Sequence, residues 1–157
     1  AYRAGGVTPL YTSAGNDGSF TSDGCIAGDP NLNQIGWYCG NSSATYNGAY
    51  GCVHWYDGAF KCGPQPAGGK EANAWGLYDM AGNVFEWCWD SSGTHPAGTV
   101  EDPAINPLTE PSNVHRIFRG GGWSEPSGKG RAAYRHNTDP SDRYDYIGFR
   151  LLRSVHW

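Results

Sequence analysis

The chain has 157 residues, enough for one domain with a sizeable core. With 14% aromatic residues, 24 glycines and only 17% charged residues, it reads as rings packed against tight turns, which excludes a helical bundle. A net charge of -4 with dispersed basic residues argues against a nucleic-acid partner, and no apolar run reaches the ~20 residues of a membrane span.

Residues 1–50 are dense in turn formers, as in "TSAGNDGSFTSDGCIAGDPNLN", and only "QIGWYCG" reads there as a short buried strand or turn. The start carries neither an initiator Met nor a signal-like segment, so the chain reads as processed, excised or incomplete. Next, "CVHWYDGAFKC" places two short strands around Tyr56-Asp57-Gly58, a three-residue hairpin loop that sets Cys52 opposite Cys62, close enough for a disulfide. A zinc site from Cys52, His54 and Cys62 matches no strong spacing. Cys88 is expected to be free; whether Cys25 pairs with Cys39 across turn-rich chain stays open.

"CGPQPAGGKEAN" is a loop, and "AWGLYDM" is too short for more than a helical turn. "VFEWCW" alternates, so Phe85, Trp87 and Trp89 share one face of a strand while Val84, Glu86 and Cys88 share the other. The span 90–114 holds four prolines and breaks regular structure. Three further strands are expected at "HRIFRGG", "RAAYR" and "IGFRLLR", the last with Ile147, Phe149 and Leu151 on one face. The sum is an α+β or irregular β domain spanning 1–157.

"NAWGLYDMAGNVFEWCWD", "RIFRGGGW", "GRAAYR" and "IGFRLLR", in that order and spacing, resemble the formylglycine-generating-enzyme, or sulfatase-modifying-factor, family. The resemblance extends more loosely through "YRAGGVTPLY" and "IGWYCGNS" and implies a loop-rich C-type-lectin-like fold with a small antiparallel sheet. It also implies a further N-terminal part ahead of "RAGG", which a complementary chain or cleaved segment would supply. The family oxidises a substrate cysteine with copper held by two cysteines, two and seven residues past the aromatic of an "RGGSW"-like turn. Counted from Trp123, those positions are Glu125 and Gly130, and no cysteine follows Cys88, so no copper and no catalytic residue is expected. The resemblance further implies a structural calcium at Glu86 with the backbone of Gly82, Asn83 and Val84, an oxygen-only site that suits the ion. The alternative for Glu86 is a salt bridge to Arg119 or Arg150.

The fold family also includes ligand-displaying proteins, among them the variable proteins of diversity-generating retroelements, whose binding surface lies between that turn and the last strand. Here this is residues 124–146, offering Ser124, Glu125, His136, Asn137, Asp142, Tyr144, Asp145 and Tyr146, with Trp123 at its start, as a mix of rings and adaptable polar groups. Strand alternation would turn Tyr144 and Tyr146 to one side. Glu125 and Lys129 cannot arise from mutated template adenines in the usual codons, which argues against a retroelement origin. Generic hydrolase and phosphate-loop motifs are absent, the histidines form no cluster, and Asp139 and Asp142 sit where carboxylates cap turns. The expectation is a non-catalytic binding or structural module for a protein or glycan, extracellular or at the cell surface; the alternatives are a copper-dependent or related superfamily enzyme and a subunit of a larger surface assembly.

Overall fold

The computed structural model describes residues 2–12, 16–21, 23–25, 28–51, 61–93 and 115–151. Regular structure is sparse, as expected for a C-type-lectin-like fold. Helix α1 (Pro30–Ile35) starts where Asp29 accepts a hydrogen bond from the Leu32 amide and Pro30 fills the first turn. Capping Asp followed by Pro is a helix start, and "DPNLNQI" contained that signal. Leu32 and Ile35 enter the main core with Leu10, Tyr11, Tyr38 and Ala81. A disulfide joins Cys25 to Cys39 at the same core, which settles the pairing that spacing left open.

"QIGWYCG" supplies the end of α1 and then strand β1 (Gly36–Trp37), parallel to β4 (Ala81–Gly82). Strands β2 (Tyr50–Gly51) and β3 (Lys61–Cys62) pair antiparallel with Tyr50 facing Cys62. The expected hairpin register, Cys52 opposite Cys62, is therefore two residues off in its described arm. The reason is tertiary: β3 is also held from its other side, by a bridge from Ser43 to Cys62 and by the Ala44 amide bonding the Lys61 carbonyl. Cys62 is disulfide-bonded, whereas Cys52 and the Tyr56-Asp57-Gly58 turn lie outside the described residues.

The central sheet has the order β7-β6-β5-β8, with β5 at Phe85–Ser91, β6 at Arg116–Arg119, β7 at His136–Thr138 and β8 at Ile147–Gly148. β5 and β6 run antiparallel, as do β6 and β7, while β8 lies parallel to β5. Phe85 and Phe118 pack edge to face at 4.9 Å, and Trp87 meets Phe118 at 5.6 Å. Trp89 does not join this stack: the ladder shifts between Trp87 and Ser91, and its ring is 83% exposed under Arg116. "RAAYR" is not a strand; a 3-10 turn (Ser127–Gly130) and further turns precede β7, which begins one residue later. The final strand ends at Gly148, so the alternation expected to carry Ile147, Phe149 and Leu151 on one face stops there, and Phe149 and Leu151 are exposed.

Asp29 carries this arrangement at one end. It is fully buried, and besides capping α1 it accepts from the Thr21 amide at 2.7 Å and the Thr21 hydroxyl at 3.1 Å. Replacing Asp29 by Ala strands those donors and should cost roughly 2–3 kcal/mol in urea denaturation, with Asp29→Ser recovering part of the loss through the cap.

Candidate functional site

The segment after β6 begins with a turn through Gly120 and Gly121, both at positive φ, and delivers Trp123 into the interior. Trp123 is 3% exposed and packs with Cys62, Val84 and Tyr146; its carbonyl accepts from the buried Ser42 hydroxyl at 2.7 Å. It is a core residue, not a displayed ring. A bulky indole leaving a turn beside apolar neighbours gains more from burial than a surface position offers.

The positions that correspond to copper-binding cysteines are occupied otherwise. Glu125 forms an ion pair with Lys129 at 2.6 Å, and its carbonyl accepts from the Cys39 amide. Gly130 is buried, its carbonyl accepts from the Tyr2 hydroxyl at 2.5 Å, and a Cβ there would press on the Leu32 side chain at 3.1 Å. One carboxylate already paired with an ammonium and one residue without a side chain do not fit Cu(I), which needs thiolates.

Around the Glu125–Lys129 pair the surface is aromatic. The Lys129 ammonium lies 5.9 Å from the Tyr134 ring, and Tyr144 and Tyr146 stack face to face at 5.1 Å. Both rings lie on one side as expected, but a turn closed by the Ile147 amide on the Tyr144 carbonyl stacks them, because β8 begins only at Ile147 and strand alternation does not reach them. The two are not equivalent, however. Tyr146 packs on Phe85 and the Trp123 cluster, and burial followed by the neighbouring Tyr144 pushes its phenol pKa up, whereas Tyr144 is 44% exposed. His136 stacks on Phe118 at 5.1 Å and joins the ring side of the sheet; Asn137, next in β7, is opposite Ile117 and points the other way. Asp142 accepts from the Thr138 hydroxyl at 2.5 Å and tethers the 139–142 turn, in which Asp139 accepts from the Ser141 amide. Asp145 is exposed, and Ser124 is half-buried beside Trp123. Tyr134 and Lys129 belong to this surface although sequence reasoning did not select them. Tyr134 was assigned to a strand, and only the chain's path shows that it turns toward Lys129.

Glu86 tests the calcium expectation. Its two carboxylate oxygens accept from Arg150, at 2.6 Å and 3.0 Å, while Arg150 also donates to the carbonyls of Tyr78 and Asp79. Asn83 turns its side-chain oxygen to the Gln65 amide and its backbone oxygen to the Trp123 amide. These oxygens already accept hydrogen bonds, and among the described residues no three acidic, His or Cys side chains converge on a point. The geometry matches the salt-bridge alternative, with Arg150 rather than Arg119 as the partner. Glu86→Gln should therefore cost roughly 1 kcal/mol, the pair being partly open to solvent, by the same amount in calcium and in chelator. A wild-type melting temperature that falls on chelation, with no fall in Glu86→Gln, would place an ion there instead.

Comparison with known proteins follows the fold and these motifs. The family model described as the sulfatase-modifying factor enzyme 1-like domain matches residues 25–155. Treponema denticola variable protein 1 superposes with a TM-score of 0.61 at 23% identity over 94% of this chain and 41% of its own, a likeness of fold. PvdO from Pseudomonas aeruginosa superposes with a TM-score of 0.55 at 31% identity over 94% of this chain and 46% of its own. The serine/threonine-protein kinase Pkn1 of Chlamydia trachomatis is 42% identical over 82 residues, 51% of this chain and 13% of the kinase. The formylglycine-generating enzyme of Streptomyces coelicolor is 31% identical over 93 residues, 57% of this chain and 29% of the enzyme. The chain spans less than a third of either curated relative. With its family model covering most of the sequence and its motifs in register, the chain belongs to the sulfatase-modifying-factor, or formylglycine-generating-enzyme-like, domain family.

Proposed function

We propose that this domain is a non-catalytic binding module whose 124–146 surface, centred on Tyr144 and the Glu125–Lys129 pair, contacts a protein or glycan partner. The observation that carries this reading is the occupancy of the two copper positions by a salt-bridged glutamate and a glycine packed against Leu32. Tyrosine suits such a surface because it presents apolar area and a hydroxyl while losing little rotamer freedom on contact. Stacking on Tyr146 fixes the Tyr144 ring in advance, and the neighbouring ion pair and Asp145 offer polar groups around it. The similarity of fold to a variable protein supports display as a use of this architecture, without naming a ligand. The Cys25–Cys39 disulfide supports an oxidising location, outside the cell or on its surface. Among the described residues no helix is long and apolar enough to cross a membrane.

Two measurements test the reading. Incubation with Cu(I), oxygen and a sulfatase-type cysteine peptide should leave the peptide thiol intact by mass spectrometry; turnover would establish an oxidase and overturn the proposal. Against an array of glycans and surface-protein ectodomains, Tyr144→Ala should lose binding by at least ~2 kcal/mol while the melting temperature stays within a few degrees of wild type. Tyr146→Ala, by contrast, should lower stability, because its ring is shared with the core. Binding that survives Tyr144→Ala and charge reversal at Lys129 moves the contact away from this surface.

A further inference from the structure

The charged side of the central sheet holds a feature that display leaves unused. Glu86 of β5 stands directly across from Arg119 of β6. Arg135 immediately precedes β7, whose His136 faces Phe118, and so continues the row beyond Arg119. Cys88 lies two residues along β5 from Glu86, on the same side. Glu86, Cys88 and Arg119 open onto a cavity of about 320 Å³ whose other walls include Tyr2, Arg131 and Ala132.

Among the described residues, ion pairs do not reach every guanidinium in this region, although Asp90 favours the charged form of Arg119. Glu86 is already paired with Arg150, and the other ion pair among the described residues joins Lys129 to Glu125. Arg119 donates to the Ala132 carbonyl and Arg131 to the Gly128 carbonyl, so neither bond brings a carboxylate. The Nε of Arg3 and both Nε and Nη2 of Arg135 are buried without a hydrogen-bond partner. Burial, and then the positive charges of Arg135 and Arg3, disfavour the protonated form of Arg119, while Cys88 and Asp90 act in the opposite sense. Buried guanidinium groups without acceptors are costly to hold, and their planar forks match oxyanions in two-point contacts.

We infer that this cavity binds a small oxyanion, a carboxylate or phosphate group, through Arg119, with Arg131 at its wall; Arg135, next to Arg119 in the row, and Arg3 add positive charge from behind the lining. A volume of about 320 Å³ admits the group together with a small organic body. The site lies on the sheet side away from Tyr144 and does not depend on the display reading.

Cys88, the free cysteine among the described residues, reports occupancy from inside the cavity. Burial pushes its thiol pKa up, so alkylation by iodoacetamide is slow and is best followed at mildly alkaline pH. Inorganic phosphate in one arm and acetate in another are titrated against chloride at constant ionic strength, and modified Cys88 is counted by peptide mass spectrometry. The alkylation rate should fall saturably in at least one arm, about tenfold at ten times the dissociation constant, since the free fraction follows simple occupancy. Arg119→Gln should lose the protection while Arg119→Lys keeps part of it. A phosphate- or acetate-dependent rise in wild-type melting temperature over chloride serves as a second readout should Arg119→Gln fold poorly. Equal rates and equal melting temperatures in both oxyanions and chloride, or undiminished protection in a folded Arg119→Gln, would overturn the inference.

Discussion

Gly82 and Asn83 are the point at which the separate parts of this chain are tied together. Both adopt positive φ, and in that conformation the Gly82 amide bonds the Gly120 carbonyl and the Asn83 amide bonds the Trp37 carbonyl, each at 2.7 Å. The Asn83 carbonyl takes the Trp123 amide, and its side chain bonds the backbone of Gln65 in both directions. A Cβ on Gly82 would stand 2.2 Å from the Trp37 carbonyl oxygen, so only glycine allows the approach. Asn is among the few residues that enter the left-handed region readily. Helix α1, the 65 loop, the turn after β6 and the start of the 124–146 segment are thus placed by one crossing of backbone.

That crossing separates the scaffold from the chemistry built on it. The residues that would carry copper lie beyond Trp123, where the 3-10 turn folds back, and their identity affects only local contacts: Glu125 to Lys129, Gly130 to Tyr2 and Leu32. A family member can exchange two thiolates there without disturbing Gly82, Asn83 or the ring stack. Membership therefore establishes the fold, while activity has to be argued at the site itself. The same logic applies to Glu86. In a cluster where Asn83 is fully engaged by backbone groups, a guanidinium that satisfies both carboxylate oxygens is a sufficient partner.

Legibility in the sequence followed the range of the forces involved. The central strands could be read because Phe85, Glu86 and Trp87 alternate over a length that pleat geometry controls, and "RIFR" repeats the pattern. Tyr144 and Tyr146 share a side as expected, although a turn ahead of β8 and not strand alternation stacks them. Failures occurred where a tertiary partner decided the outcome. Cys62 takes its register from the 43–44 segment as well as from its own hairpin, and Trp89 leaves the ring stack at a shift in the ladder that no alternation reveals. Helix α1 was a different failure: Asp29-Pro30 is a legible start, overlooked because six residues lie among glycines and turns. Of the proposed contact surface, Tyr144 could be picked from sequence, but the burial of Trp123 and the recruitment of Tyr134 by Lys129 depend on the path of the chain.

The stacked tyrosines join the scaffold to the surface. Tyr146 is anchored twice, its ring against Phe85 and its carbonyl bonded to the Phe85 amide at 2.8 Å, so it has little freedom left to lose. Tyr144 rests on that fixed ring with an interplanar angle of 19° and directs its hydroxyl toward Asp142, whose carboxylate is in turn held by Thr138 of β7. The exposed ring is thereby pre-positioned by the sheet on one side and by a tethered turn on the other. Association costs free energy chiefly through ordering of groups that were mobile before contact. A ring already ordered by Asp142 and by Tyr146, itself held on Phe85, avoids much of that cost, which is the physical reason for placing the proposed contact at Tyr144.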